Sequence, residues 1–90
     1  MVESTIERTT EISVDRTLDC RGLLCPMPIV KTGIELRGLA PGQVLKVVAT
    51  DRGAIADMPA FASDTGNRLL GWHQDGSDLV FYIRKEAQPE

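Results

Sequence analysis

The chain has 90 residues and a mass of 9.8 kDa, room for one hydrophobic core and not two. Lys and Arg number 10 against 13 Asp and Glu, a formal net charge of −3, which argues against a general binder of nucleic acid or anionic membrane. Its 2 cysteines and 1 histidine are too few for a disulfide-stapled secreted mini-protein or a four-ligand zinc site. With 42% apolar residues, the composition is that of a folded domain. The expectation is a cytoplasmic domain held by its own core, with no metal and no organic cofactor. Cys20 and Cys25 are then reduced thiols, either filler or chemistry.

Residues 1–13 are rich in Thr and Glu and read as a flexible N-terminal tail. They lack the basic start and apolar run of a signal peptide. No segment approaches the ~18 apolar residues that span a bilayer. The ordered domain is expected over residues 14–86, with residues 87–90 as a C-terminal tail.

Val14, Arg16, Leu18 and Cys20 alternate with Asp15, Thr17 and Asp19, a short strand broken at Arg21-Gly22. Cys25-Pro26-Met27-Pro28 then opens a helix, because the first helical N–H groups have no intrahelical partner and proline lacks one. Ile29, Val30, Gly33, Ile34 and Leu36 or Arg37 form its expected buried face, with Lys31, Thr32 and Glu35 outward. Gly33 is expected where the helix closely approaches the sheet. Gly38 ends the helix and Pro41-Gly42 blocks its continuation.

Residues 43–50 read as a central strand, apolar on both sides. Strand, helix and strand predict a parallel unit with a right-handed crossover. A second helix carries Ile55, Met58, Phe61 and Ala62 at helical spacing. Pro59 predicts a start at Asp57 or Met58, with Asp57 as N-cap. Gly66-Asn67 closes it. Residues 68–73 and 79–84 are strands joined at Asp75-Gly76, a hairpin signal. Leu79, Phe81 and Ile83 share one face. The order is βαβαββ, an α/β two-layer sandwich with two helices on one face of a four-stranded mixed sheet.

Chemistry concentrates at Cys25. A thiol reacts as its thiolate, and the positive end of a helix favours an anion there. With Cys25 as N-cap and prolines at the first and third helical positions, Met27 keeps the N–H free to serve a sulfur anion. The expectation is a thiol with a lowered pKa, held at the helix mouth. Cys20 continues the inward face of Val14 and Leu18 and reads as core. Its spacing from Cys25 also permits, without requiring, a disulfide. His73 lies on a strand, has no recognisable Asn or Asp companion, and supports a Cys–His hydrolase weakly.

The run Leu18-Asp19-Cys20-Arg21-Gly22-Leu23-Leu24-Cys25-Pro26-Met27-Pro28 resembles the signature of the TusA family of sulfur carriers, also called SirA-like proteins. That signature combines a Leu-Asp pair, a Gly-Leu loop and Cys-Pro-x-Pro at the first helix. The likeness continues through Pro41-Gly42, Asp51, Asp57, Gly66 and Ile83-Arg84-Lys85, covering residues 17–85. Arg52 departs from it where many members place proline, and Cys20 lies outside the required pattern.

The resemblance implies a fold like the C-terminal domain of translation initiation factor three. It implies a persulfide on Cys25, with sulfur received from a cysteine desulfurase or rhodanese-like protein and passed to an acceptor protein. The destinations implied are tRNA thiolation, cofactor assembly or sulfur oxidation; residues 57–69 resemble carriers of the last kind. Direct nucleic-acid and membrane contacts are not expected, and a monomer suffices. Asp19, Gly22, Pro26, Met27 and Pro28 are the supporting motif.

Several residues have two readings. Arg21 and Lys31 either attract an anionic persulfide or partner, or are solvated charges. Leu24 and Met27 are either a docking patch or core. Asp19 and Asp57 hold turn and helix-start N–H groups or influence the thiol. Trp72 reads as packing. The alternatives to a sulfur carrier are an interaction module and a dithiol redox switch using Cys20 and Cys25.

Overall fold

A computed structural model describes residues 12–87. Residues 1–11 and 88–90, which hold most of both expected tails, lie outside the described residues. The elements are β1 (Arg16–Cys20), α1 (Met27–Arg37), β2 (Val44–Ala49), α2 (Ala54–Thr65), β3 (Arg68–Asp75) and β4 (Asp78–Arg84). The sheet order is β1-β2-β4-β3. Strands β1 and β2 run parallel, with Cys20 opposite Ala49, while β4 pairs antiparallel with both β2 and β3.

The expected two-layer α/β architecture is the one observed. Leu45, Val47, Ala49, Leu79, Phe81 and Ile83 point from the central strands toward Leu36 of α1 and Ala54 and Met58 of α2. Val44, Val80 and Tyr82 form a second cluster on the opposite face, with Ile12 and Leu70 packed against it. Strand alternation produces both faces, which is why β2 and β4 are apolar nearly throughout.

Four local expectations need correction. The first strand begins at Arg16, and Val14 is exposed. Asp15 explains the late start: its carboxylate accepts the N–H of Val44 at 2.8 Å, while its own N–H donates to the Val44 carbonyl at 2.9 Å.

The face of α1 is also rotated from the expected one. Its buried residues are Pro28, Thr32 and Leu36, one ridge at four-residue spacing. Thr32 enters the core without cost in unpaired polarity, because its hydroxyl donates to the Pro28 carbonyl at 2.7 Å. Val30 and Ile34 consequently face outward, 44% and 57% exposed.

Helix α2 starts at Ala54, upstream of Pro59. The Asp51 carbonyl accepts the Ala54 N–H, and the Gly53 carbonyl accepts those of Ala56 and Asp57. A full turn is thus secured before the proline removes one donor. Gly66, at φ 75°, ends the helix in the left-handed region, and the Asn67 N–H returns to the Ala62 carbonyl. Finally, Gly33 faces the other helix and not the sheet. A methyl built there would meet the Phe61 ring at 3.5 Å.

Candidate functional site

Because β1 and β2 are parallel, their carboxyl ends lie together, and the loops that follow them meet on one side. Two tertiary hydrogen bonds join those loops. The Gly22 N–H donates to the Thr50 hydroxyl at 2.9 Å, and the Cys25 N–H donates to Asp51 Oδ2 at 2.8 Å. Gly22 has φ +82°, a left-handed turn that strains any side chain. Asp51 also accepts the Gly53 N–H at 3.4 Å, tying the entry of α2 to the thiol loop.

Cys25 is exposed and Cys20 is 0% exposed. The structure therefore assigns the two thiols to different environments, surface and core. Cys25 stands at an open cleft of about 310 Å³ between the two helices, lined by Pro26, Ile29, Asp57, Ala60, Phe61 and Asp64. Its Sγ lies 3.4 Å from Asp57 Oδ2.

The electrostatics reverse the expected direction. The N-cap of α1 is Pro26, not Cys25, and the Met27 N–H donates to the Leu24 carbonyl at 2.9 Å. The donor expected for a sulfur anion is already spent. The hydrogen bond to Asp57 raises the Cys25 thiol above its ordinary value, with desolvation and the charges of Asp57 and Asp51 acting the same way. Desolvation by burial raises Cys20 as well.

The other candidates separate as follows. Asp19 holds the turn: it accepts the Arg21 N–H at 3.0 Å and two guanidinium bonds at 2.9 and 3.1 Å. These bonds lower its carboxyl to about 2. Arg21 is thereby turned toward Asp19, with Asp78 at 3.8 Å. Lys31 acts on the Cys20 thiol, lowering it against the larger effect of burial. Pro28 belongs to the buried ridge, while Pro26 forms part of the cleft wall.

Leu24 and Met27 are surface, 73% and 42% exposed. With Val30 and Ile34 they make an apolar run that begins beside Cys25 and follows the outer side of α1. The periodicity of the sequence places Val30 and Ile34 on the buried face; in the structure both are exposed.

Trp72 stacks on Phe81 at 5.8 Å, as packing. His73 stacks on Tyr82 at 5.9 Å, which belongs to the cluster on the sheet face away from the helices. A Cys25–His73 pair is therefore excluded by topology. Of the two readings of Asp57, the contact with the thiol is the one observed, and Gly53, not Asp57, is the N-cap of α2; the sequence does not single out Ala60, Phe61 or Asp64 as neighbours of the thiol. Their spacing held the signal, because residues 57, 60, 61 and 64 share one helix face. Among the described residues, no group of three His, Cys, Asp or Glu side chains could hold a metal ion. None of their helices is long and apolar enough to cross a membrane.

Comparisons with known proteins bear on the family and the fold. The family described as "Sulfurtransferase TusA" matches residues 16–85. The sulfur carrier protein TusA of Allochromatium vinosum is 44% identical over 71 residues, spanning 79% of this chain and 93% of that protein. The TusA of Pseudomonas entomophila is 41% identical over 78 residues, 87% of this chain and 98% of that one. The putative sulfur carrier protein YrkF of Bacillus subtilis is 47% identical over 71 residues, but the match spans only 38% of its length. The crystal structure of a SirA-like protein from Desulfitobacterium hafniense superposes with a TM-score of 0.70 at 20% identity, covering 80% of this chain and 99% of that one. That likeness concerns the fold. With the family matched from β1 to the residue after β4, the chain belongs to the TusA family of sulfur carriers.

Proposed function

We propose that this chain carries sulfane sulfur as a persulfide on Cys25 and hands it to the thiol of an acceptor protein. The observation that carries the reading is the contrast between the two thiols: Cys25 is exposed at the mouth of the cleft, and Cys20 is sealed in the core. Transfer requires the partner's sulfur to reach bonding distance of Cys25 Sγ. The partner must therefore cover the surface around it, including Leu24 and Met27. The donor is a protein persulfide, such as that of a cysteine desulfurase or rhodanese-like protein. The acceptor lies in sulfur oxidation, tRNA thiolation or cofactor assembly. A single chain supplies the whole site, and a reducing cytoplasm suits both thiols. The burial of Cys20 disfavours the dithiol switch.

The test is intact-mass spectrometry after incubation with polysulfide, or with thiosulfate and a rhodanese. Wild type gains one sulfur, about 32 Da, and Cys25→Ser does not. Loading of Cys25→Ser at the wild-type level, with loss in Cys20→Ala, would overturn the assignment.

A further inference from the structure

We propose that Asp57 is a positioning residue that keeps the idle Cys25 thiol protonated, so that the unloaded carrier is quiet toward small electrophiles. The argument starts from the contact itself. An ionised carboxylate has lone pairs and no proton to give. In the 3.4 Å contact between Cys25 Sγ and Asp57 Oδ2, the hydrogen therefore belongs to sulfur. A thiolate in the same place would set two anions against each other.

The surroundings act in the same sense. From the turn after β2, Asp51 holds the Cys25 N–H. From α2, Asp64 stands on the wall of the same cleft as Asp57, and among the described residues no cation lines that cleft. Among those residues, no cation offsets these charges at Cys25: Arg21 is bound to Asp19, and Lys31 and Arg52 are exposed. Pro26 and Pro28 have no N–H, and that of Met27 is taken by Leu24. No donor is left to hold a sulfur anion at the start of α1, and a carboxylate is present to disfavour one. Asp57 also lies in the first turn of α2, where an acid favours the helix. That role needs only its charge near the helix end, not its contact with sulfur.

This inference rests on Cys25 as the sulfur-bearing thiol and adds the condition under which it reacts. In loading, Cys25 sulfur attacks the outer sulfur of a donor persulfide. The donor S–S bond breaks, a new S–S bond forms on Cys25, and the donor's inner sulfur leaves with the electron pair. That sulfur takes up the proton Cys25 gives up. Cys25–SH and R–S–SH become Cys25–S–SH and R–SH, with no net oxidation. Holding the Cys25 proton on sulfur therefore slows chance encounters without removing anything the reaction consumes.

The experiment is alkylation of Cys25 by neutral iodoacetamide between pH 6 and 10, read by peptide-resolved mass spectrometry. The wild-type midpoint is expected above that of free cysteine, about 8.5. Asp57→Asn moves it down. Each unit of lowering raises the thiolate fraction tenfold and cuts nucleophilicity about threefold, a net gain of roughly threefold at pH 7. Asp57→Glu, which keeps a carboxylate, retains a raised midpoint, and Asp64→Asn, which lacks the sulfur contact, shifts it less than Asp57→Asn. A wild-type midpoint at or below that of free cysteine overturns the proposal, and needs no variant to fold. So does an Asp57→Asn midpoint that stays put or rises. Alkylation reads protonation and not sulfur loading, so the proposal can fail while persulfide formation on Cys25 stands, and the reverse.

Discussion

The separation of the two thiols has a sharp kinetic consequence. Cys20 closes β1 with no accessible surface and packs in the same cluster as Ala49, Met58 and Phe81. Burial also holds its thiol in the protonated form. A reagent reaches it only when the domain opens. A stability of ~5 kcal/mol, the low end for a domain, limits the open fraction to roughly 10⁻⁴ to 10⁻³. Cys25 needs no opening, although its raised thiol slows it about threefold per unit. Native labelling with iodoacetamide at pH 8, followed by peptide mapping, is therefore expected to modify Cys25 about 10³-fold faster than Cys20. Denaturant above the unfolding midpoint should bring the two rates together. A native ratio below tenfold would refute the reasoning. It would show Cys20 reaching solvent without unfolding and would restore the dithiol switch as a working possibility.

Other expectations address packing and partner contact. Gly33→Ala should stabilise the domain, because the new methyl lies at ordinary contact distance from Phe61, 3.5 and 3.6 Å, while the helix gains about 1 kcal/mol in propensity. Thermal unfolding should rise by about 4–8 °C; a fall would mean that Phe61 cannot accommodate the methyl. Covering Leu24 in a complex is worth about 1.5–3 kcal/mol. Leu24→Ser should thus reduce kcat/KM for transfer to a protein acceptor roughly 10- to 100-fold, more than it slows loading from polysulfide. Equal losses in the two assays would remove Leu24 from the docking surface. For the site itself, persulfide loading in Cys25→Ser and the alkylation profile of Asp57→Asn are the decisive measurements.

Much of this protein follows from local pattern. Strand alternation in residues 79–83, Gly66 after the second helix and Gly76 in the hairpin code for elements through contacts a few residues apart. Cys25-Pro26-Met27-Pro28 likewise marks its own loop, and its likeness to the sulfur carriers reflects an arrangement of neighbours in the chain. Periodicity misled where one residue's side-chain bond changed the accounting. Thr32 satisfied its hydroxyl on Pro28 and turned α1 so that Val30 and Ile34 faced outward.

Composition and spacing singled out Cys25 and pointed to a lowered thiol pKa; only the tertiary structure reverses that direction. A helix-start argument considers the field of one helix and predicts a thiolate. The packing of α1 and α2 side by side brings Asp57 to Cys25 across 32 positions of sequence, and Asp51 meets its N–H across 26. At contact distance a full negative charge outweighs the partial charge of a helix end whose remaining donor is already bonded.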